Sequence, residues 1–177
     1  MIQVETEVKI FIESSWKGPA VKNGVAMWLV EYVKDGEPAT KQGFVHLENG
    51  TEAQGCLMAI INAFCVIKNI PLKCHSVPVM TGCEHILSTI QNGWHMQWKD
   101  NDWHTARGKP VKNSGLWEML VDKSSNYNYY AQGVKHEYSS IMQDDLRKEL
   151  ERWKHSREEA VKVEERKGTN IESEKID

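Results

Sequence analysis

The 177-residue chain has no long apolar run, no strong net charge and no clustered cysteines. Lysine and arginine total 22 against 25 aspartate and glutamate, a formal charge of −3. No global field therefore draws the chain to nucleic acid, and such binding would need a local basic patch. No stretch approaches the roughly 18 apolar residues of a membrane span. Met1 to Glu13 carries charges where a secretory leader needs an unbroken apolar segment. These absences point to a cytoplasmic protein with no membrane partner. The cysteines Cys56, Cys65, Cys74 and Cys83 stand nine apart, which fits neither a zinc knuckle nor a CxxC redox pair. Cys56 and Cys65 fall on one expected helix, where nine residues turn about 900° and face them to opposite sides. They cannot share a metal within that helix, and buried thiols are the expectation.

Apolar residues make up 40% and charged residues 27%, as in a folded globular chain. The length suits one domain with a real core. Alternation at Val4, Val8, Ile10 and Ile12 predicts a first strand. Val25–Lys34 and Thr40–Leu47 predict two more, joined by an Asp35-Gly36 turn. From Thr51 to Asn69 the apolar period becomes helical, with Thr51 as cap. Leu72–Val77 reads as a fourth strand, with Pro78 opposing a long central one. Helices are expected over Thr81–Asn92, Leu116–Lys123 and from Ile141 to about Glu165, with a short strand over Tyr127–Val134. This predicts an α/β fold, a mixed five-stranded sheet with helices on both faces. Residues 1–152 form the expected domain, and 153–177 a charged helical or disordered tail.

The segment Trp103-His104-Thr105-Ala106-Arg107-Gly108-Lys109-Pro110-Val111-Lys112-Asn113-Ser114-Gly115-Leu116-Trp117 resembles the cellular ribonuclease H pattern GWxTAxxKPVKNxDLW. Ile10-Phe11-Ile12-Glu13-Ser14-Ser15 resembles that family's first strand, IFTDGS. Glu52-Ala53-Gln54-Gly55-Cys56-Leu57-Met58-Ala59 resembles the start of its first helix. The resemblance spans about residues 4 to 152. It implies a ribonuclease H-like fold and, in the family, cleavage of the RNA strand of an RNA–DNA hybrid by two divalent metal ions.

The family's metals are held by an Asp on the first strand, a Glu on the first helix, an Asp ending the fourth strand and an Asp on the last helix. Carried over, these positions become Glu13, Gln54, His75 and Asp144, with Asp145 as a competing register. An amide and an imidazole replace two anions, so the resemblance implies a degenerate site and no cofactor, or Mg or Mn if activity survives. Glu13, His75 and Asp144 are the residues left to hold a metal, a softer one such as zinc included. Glu52 and Glu84 are not well placed to rebuild the site. His136 either mimics a loop histidine of the family or is a surface histidine without a role.

The region Asn92 to Asn113 corresponds to the family's basic protrusion and the loop after it. Trp94, Trp98, Lys99, Arg107, Lys109, Lys112 and Asn113 are its candidate nucleic-acid contacts, since cations neutralise phosphates and indoles stack on bases. Trp103 and Trp117 are expected in the core. The expected function is a catalytically inactive domain that binds RNA–DNA hybrid or another nucleic acid. An active nuclease with an atypical site and a protein-interaction module are the alternatives.

Overall fold

A computed structural model describes residues 7–71, 76–133 and 135–174, the last five by backbone alone. Three strands open the chain: β1 (Lys9–Ser14), β2 (Lys22–Lys34) and β3 (Glu37–Gly50). The β2–β3 hairpin turns on Asp35 and Gly36, both at positive φ, which suits a tight two-residue turn. After helix α1 (Glu52–Lys68) comes β4 (Ser76–Thr81), and β5 (Asn128–Gln132) follows three further helices. The sheet order is β3-β2-β1-β4-β5. β1 pairs antiparallel with β2 and parallel with β4, and β4 pairs parallel with β5.

Alternation along β1 sorts its side chains between two layers. Ile10 and Ile12 join Leu57, Ile60, Phe64 and Ile67 of α1 in one core. Phe11 faces the other way, with Val25, Met27 and Leu29 against Met142 and Leu146 of α5 (Ser139–Glu174). Helices therefore cover both faces of the mixed five-stranded sheet, as expected. Thr51 caps α1 through a reciprocal pair with Gln54, whose side chain accepts from the Thr51 backbone N–H. α2 (Glu84–Asn92) ends at Gly93 in the left-handed region, which also starts α3 (Trp94–Asp100). α4 (Ser114–Lys123) carries Trp117, fully buried as expected, and Trp103 packs against the same core.

Three expectations need correction. The fourth strand continues through Pro78 to Thr81, past the expected end at Val77; residues 72–75 of that expectation lie outside the described residues. Its ladder to β1 begins only at Val79, so the proline sits where that neighbour is not yet engaged. Accordingly α2 starts at Glu84 rather than Thr81. Finally, α5 spans Ser139–Glu174, longer at both ends than the expected helix from Ile141 to about Glu165. Trp153 packs on the second core, and Arg157 reaches Glu48 at 3.3 Å. No helix among the described residues is long and apolar enough to cross a membrane.

Candidate active site

Four elements meet at one end of β1. The parallel register sets Thr81 beside Ile12, which brings Gly82 and Cys83, just past β4, next to Glu13. Glu52 and Cys56 lie four residues apart on one face of α1, and Gln143 comes from the first turns of α5. Glu13, Glu52, Cys56, Cys83 and Gln143 line a common cavity of about 230 Å³.

Both oxygens of Glu13 are engaged. Oε1 lies 3.1 Å from His136 Nε2, and Oε2 accepts from the Gln143 amide at 2.8 Å. The His136 side chain is 5% exposed, and its ring lies 4.6 Å from that of Phe11. It is a buried partner of Glu13, not the surface histidine that one reading of the sequence allowed.

The two cysteines are buried, with their sulfurs within 4.8 Å of each other. Donating to Cys83, together with burial, holds the Cys56 thiol well above its ordinary pKa. Accepting from Cys56, with help from the backbone N–H groups of Ile86 and His85, lowers that of Cys83. Burial raises the pKa of Glu52, against a hydrogen bond from the backbone of Gly18. One ligand atom from each of Glu52, Cys56 and Cys83 lies within 4.8 Å of the others.

Trp16 closes the cavity. Its indole N–H donates to the carbonyls of Gly50 at 3.1 Å and Lys22 at 3.2 Å. The ring fills the space where side chains on Gly24 and Gly55 would stand: a Cβ at Gly55 would lie 2.6 Å from it.

Several expected site residues are elsewhere. Gln54 caps α1 and donates to Asn113 Oδ1 at 3.4 Å. Cys56, two residues on and about 200° around the helix, stands at the cavity instead. His75 lies outside the described residues; the strand it was assigned to end starts after it, and Cys83 follows the end that meets Glu13. Asp144 pairs with Arg147 at 2.7 Å and Lys148 at 2.9 Å. Lys148 first, then Arg147, holds its carboxyl below the ordinary range. Gln143, one residue earlier and about 100° around α5, faces Glu13. Glu52, discounted in the sequence, is part of the cavity. The missed signal was Ser76–Thr81: its β-branched residues mark the strand, but Pro78 argued for ending it early.

The candidate nucleic-acid residues divide. Lys112 and Asn113 border a groove of about 540 Å³ that continues from the cavity past Lys17, Glu52, Cys83 and His85. Burial first, then Lys112, lowers the pKa of His85. Trp94 and Trp98 flank a separate hollow with Gln97 and Asn101. Trp94 is 42% exposed, whereas Trp98 packs edge-on to Trp117 at 5.9 Å. Lys99 lies on the other side of α3, beside Glu118 and Asp122. Arg107 and Lys109 are exposed on the Thr105–Pro110 loop, which Thr105 closes by accepting from the backbone of Lys109 at 3.2 Å and donating its own N–H to the Lys109 carbonyl at 2.8 Å.

A mixed sheet of this order, with β1, α1, the end of β4 and α5 converging on one cavity, defines a ribonuclease H-like domain. No protein-family model matches the chain. It is 31% identical over 119 residues to the ribonuclease H of Caldicellulosiruptor saccharolyticus, covering 67% of this chain and 78% of that one. The chain belongs to the ribonuclease H family. Its fold matches LC9-RNase H1, a type 1 RNase H with the type 2 active-site motif (TM-score 0.63, 19% identity, 81% of this chain and 70% of that one). It also matches a foamy viral protease-reverse transcriptase solved with RNA/DNA hybrid (TM-score 0.53, 14% identity, 76% of this chain and 18% of that one).

The family's metal pair does not fit these residues. Magnesium and manganese favour oxygen ligands, and two such ions side by side need several anionic ones. Around the cavity stand Glu13, Glu52, Cys56, Cys83 and Gln143: two carboxylates, two thiols and an amide. Of the two carboxylates, Glu13 is already bonded through both oxygens.

Proposed function

We propose that this domain binds RNA–DNA hybrid, or a duplex of similar shape, without cutting it. The observation that carries the reading is the engagement of Glu13 by His136 and Gln143, in a cavity where thiols occupy two of the other positions. A site of this composition lacks the negative charge that would hold two hard cations over a phosphodiester.

Binding is supported by family membership, by the hybrid held by a protein of matching fold, and by the groove bordered by Lys17, Lys112 and Asn113. The Asn92 to Asn113 region supplies further contacts. Lys112 and Lys109 would neutralise phosphates and Arg107 would reach the backbone, while the exposed face of Trp94 offers a stacking surface. Trp98 supports that surface from the core. Lys99, which lines a separate hollow together with Glu118 and Asp122, contributes least.

The test is a titration with labelled hybrid, double-stranded DNA and double-stranded RNA at low salt, with cleavage followed in Mg²⁺ and Mn²⁺ separately. Expected are saturable hybrid binding, weaker binding to at least one duplex and intact strands in both metals. Cleavage abolished by Glu13→Ala would overturn the inactive reading. Absence of saturable binding below about 10 μM would overturn the binding reading, since nonspecific contacts alone reach about 10⁻⁴ to 10⁻⁶ M. Capture of a defined protein instead would identify an interaction module.

A further inference from the structure

We propose that Glu52, Cys56 and Cys83 form a binding site for one zinc ion in the cavity where the family holds hard cations. This goes beyond hybrid binding and does not depend on it.

The three ligand atoms come from two elements, α1 and the turn after β4, and lie within 4.8 Å of one another. Around a tetrahedral zinc with Zn–S bonds of about 2.3 Å, neighbouring ligand atoms sit about 3.5–3.8 Å apart. Closure on the ion therefore asks for shifts of about an ångström or less, within the reach of side-chain rotation. Cys56 and Glu52 are related by one turn of α1, so a single helix face presents a sulfur and an oxygen together. Cys83 is fixed by the parallel pairing of β4 with β1.

The chemistry selects the metal. Thiolate sulfur favours zinc over magnesium, calcium or manganese. Two sulfurs and one oxygen leave a fourth position for water, for which the cavity of about 230 Å³ has room. Inert core thiols would account for Cys56 and Cys83 alone, but not for a half-buried carboxylate turned toward them. Among the described residues no lysine, arginine or histidine lies within salt-bridge distance of Glu52. A divalent cation would balance that charge where no side chain does. Glu13, engaged by His136 and Gln143, remains outside the ligand set.

The experiment uses the full chain with reduced thiols and Co²⁺ as the spectroscopic probe, followed by competition with Zn²⁺ and Mg²⁺. Expected are one cobalt per chain, a sulfur-to-cobalt charge-transfer band with tetrahedral visible bands, displacement by equimolar zinc and none by hundredfold magnesium. Cys83→Ser should remove at least half of the charge-transfer intensity. Glu52→Gln should keep that band but weaken binding at least tenfold, and Cys65→Ser should change neither. Should Cys83→Ser fail to fold, judged by circular dichroism without metal, the wild-type spectrum and the isosteric change Glu52→Gln decide the question. An octahedral cobalt spectrum without charge transfer would overturn the proposal. So would binding left intact by Cys83→Ser and Glu52→Gln. No nucleic acid is present, so failure here leaves hybrid binding untouched.

Discussion

Gln143 on α5 donates its side-chain amide to Glu13 Oε2 on β1 at 2.8 Å, while His136 meets the other oxygen at 3.1 Å. A carboxylate at the end of the central strand is thus satisfied by two side chains, one from the last helix and one from the loop before it. In a catalytic cluster the same place would need metal ions to offset crowded negative charge.

Removing His136 should therefore cost stability. His136→Ala loses a hydrogen bond to a carboxylate and the ring packing on Phe11. Together these should lower unfolding free energy by about 2–3 kcal/mol, combining a charge-assisted bond with a small cavity. Urea unfolding followed by circular dichroism measures it; a loss below about 0.5 kcal/mol would show that the contact contributes nothing.

Gly55→Ala sets two effects against each other. Alanine in a helix gains about 1 kcal/mol over glycine. The new Cβ would stand 2.6 Å from the Trp16 ring, which is buried and tied by its indole N–H to two carbonyls. Displacing such a ring costs about 1–3 kcal/mol, so net destabilisation is expected. Tryptophan fluorescence should shift to the red, and a more stable variant would contradict the packing described.

Glu149 gives the acid limb of stability. Arg152 first, then His46, holds its carboxyl down at about 2 against the opposing effect of burial. The folded value is below the unfolded value of about 4.3, so the stabilisation is complete above pH 4.3 and is lost as pH falls toward 2. Allowing for solvent screening, it amounts to about 1 kcal/mol. Glu149→Gln should show that deficit at pH 7 and converge on the parent near pH 2 in denaturant titrations across pH.

Lys112→Ala and Lys99→Ala should separate in hybrid binding. Lys112 borders the groove and Lys99 faces acidic neighbours. Lys112→Ala should weaken hybrid binding several-fold and reduce the slope of log affinity against log salt by about 1. Lys99→Ala should leave both unchanged. Equal losses would mean that the nucleic acid follows the protrusion, not the groove.

Restoring acids is the complementary change. A triple variant, Cys56→Glu, Cys83→Asp and Gln143→Asp, places carboxylates at the three converging positions that lack them. Buried anions without partners destabilise, so its melting temperature should fall without metal and recover in millimolar Mg²⁺. Calorimetry should detect magnesium binding that the parent lacks; no difference between them would mean that these positions do not converge as described.

Much of the fold was legible from local pattern. Alternation at Val8, Ile10 and Ile12 announced the first strand, and Asp35-Gly36 announced its hairpin neighbour's turn. The three-to-four spacing of Leu57, Ile60, Ile61 and Phe64 announced α1. The site was less legible. Glu13 was found because it lies inside a strand with a clear period. Cys83 was missed because Pro78 obscured where β4 ends, and Gln143 because neighbouring acids offered a more attractive register. A shift of one helical residue turns a side chain by about 100°, enough to exchange the cavity for solvent.

The sequence by itself determined the family and the layered α/β architecture. These follow from periodicity, turn chemistry and residue type, which are local properties. Only the tertiary structure decided which residues share the cavity. Cys56 and Cys83 are separated by a helix and a crossover, and their meeting depends on the parallel register of β4 against β1. That register is set by side-chain burial on two faces of a sheet, a long-range condition that no short stretch of sequence contains.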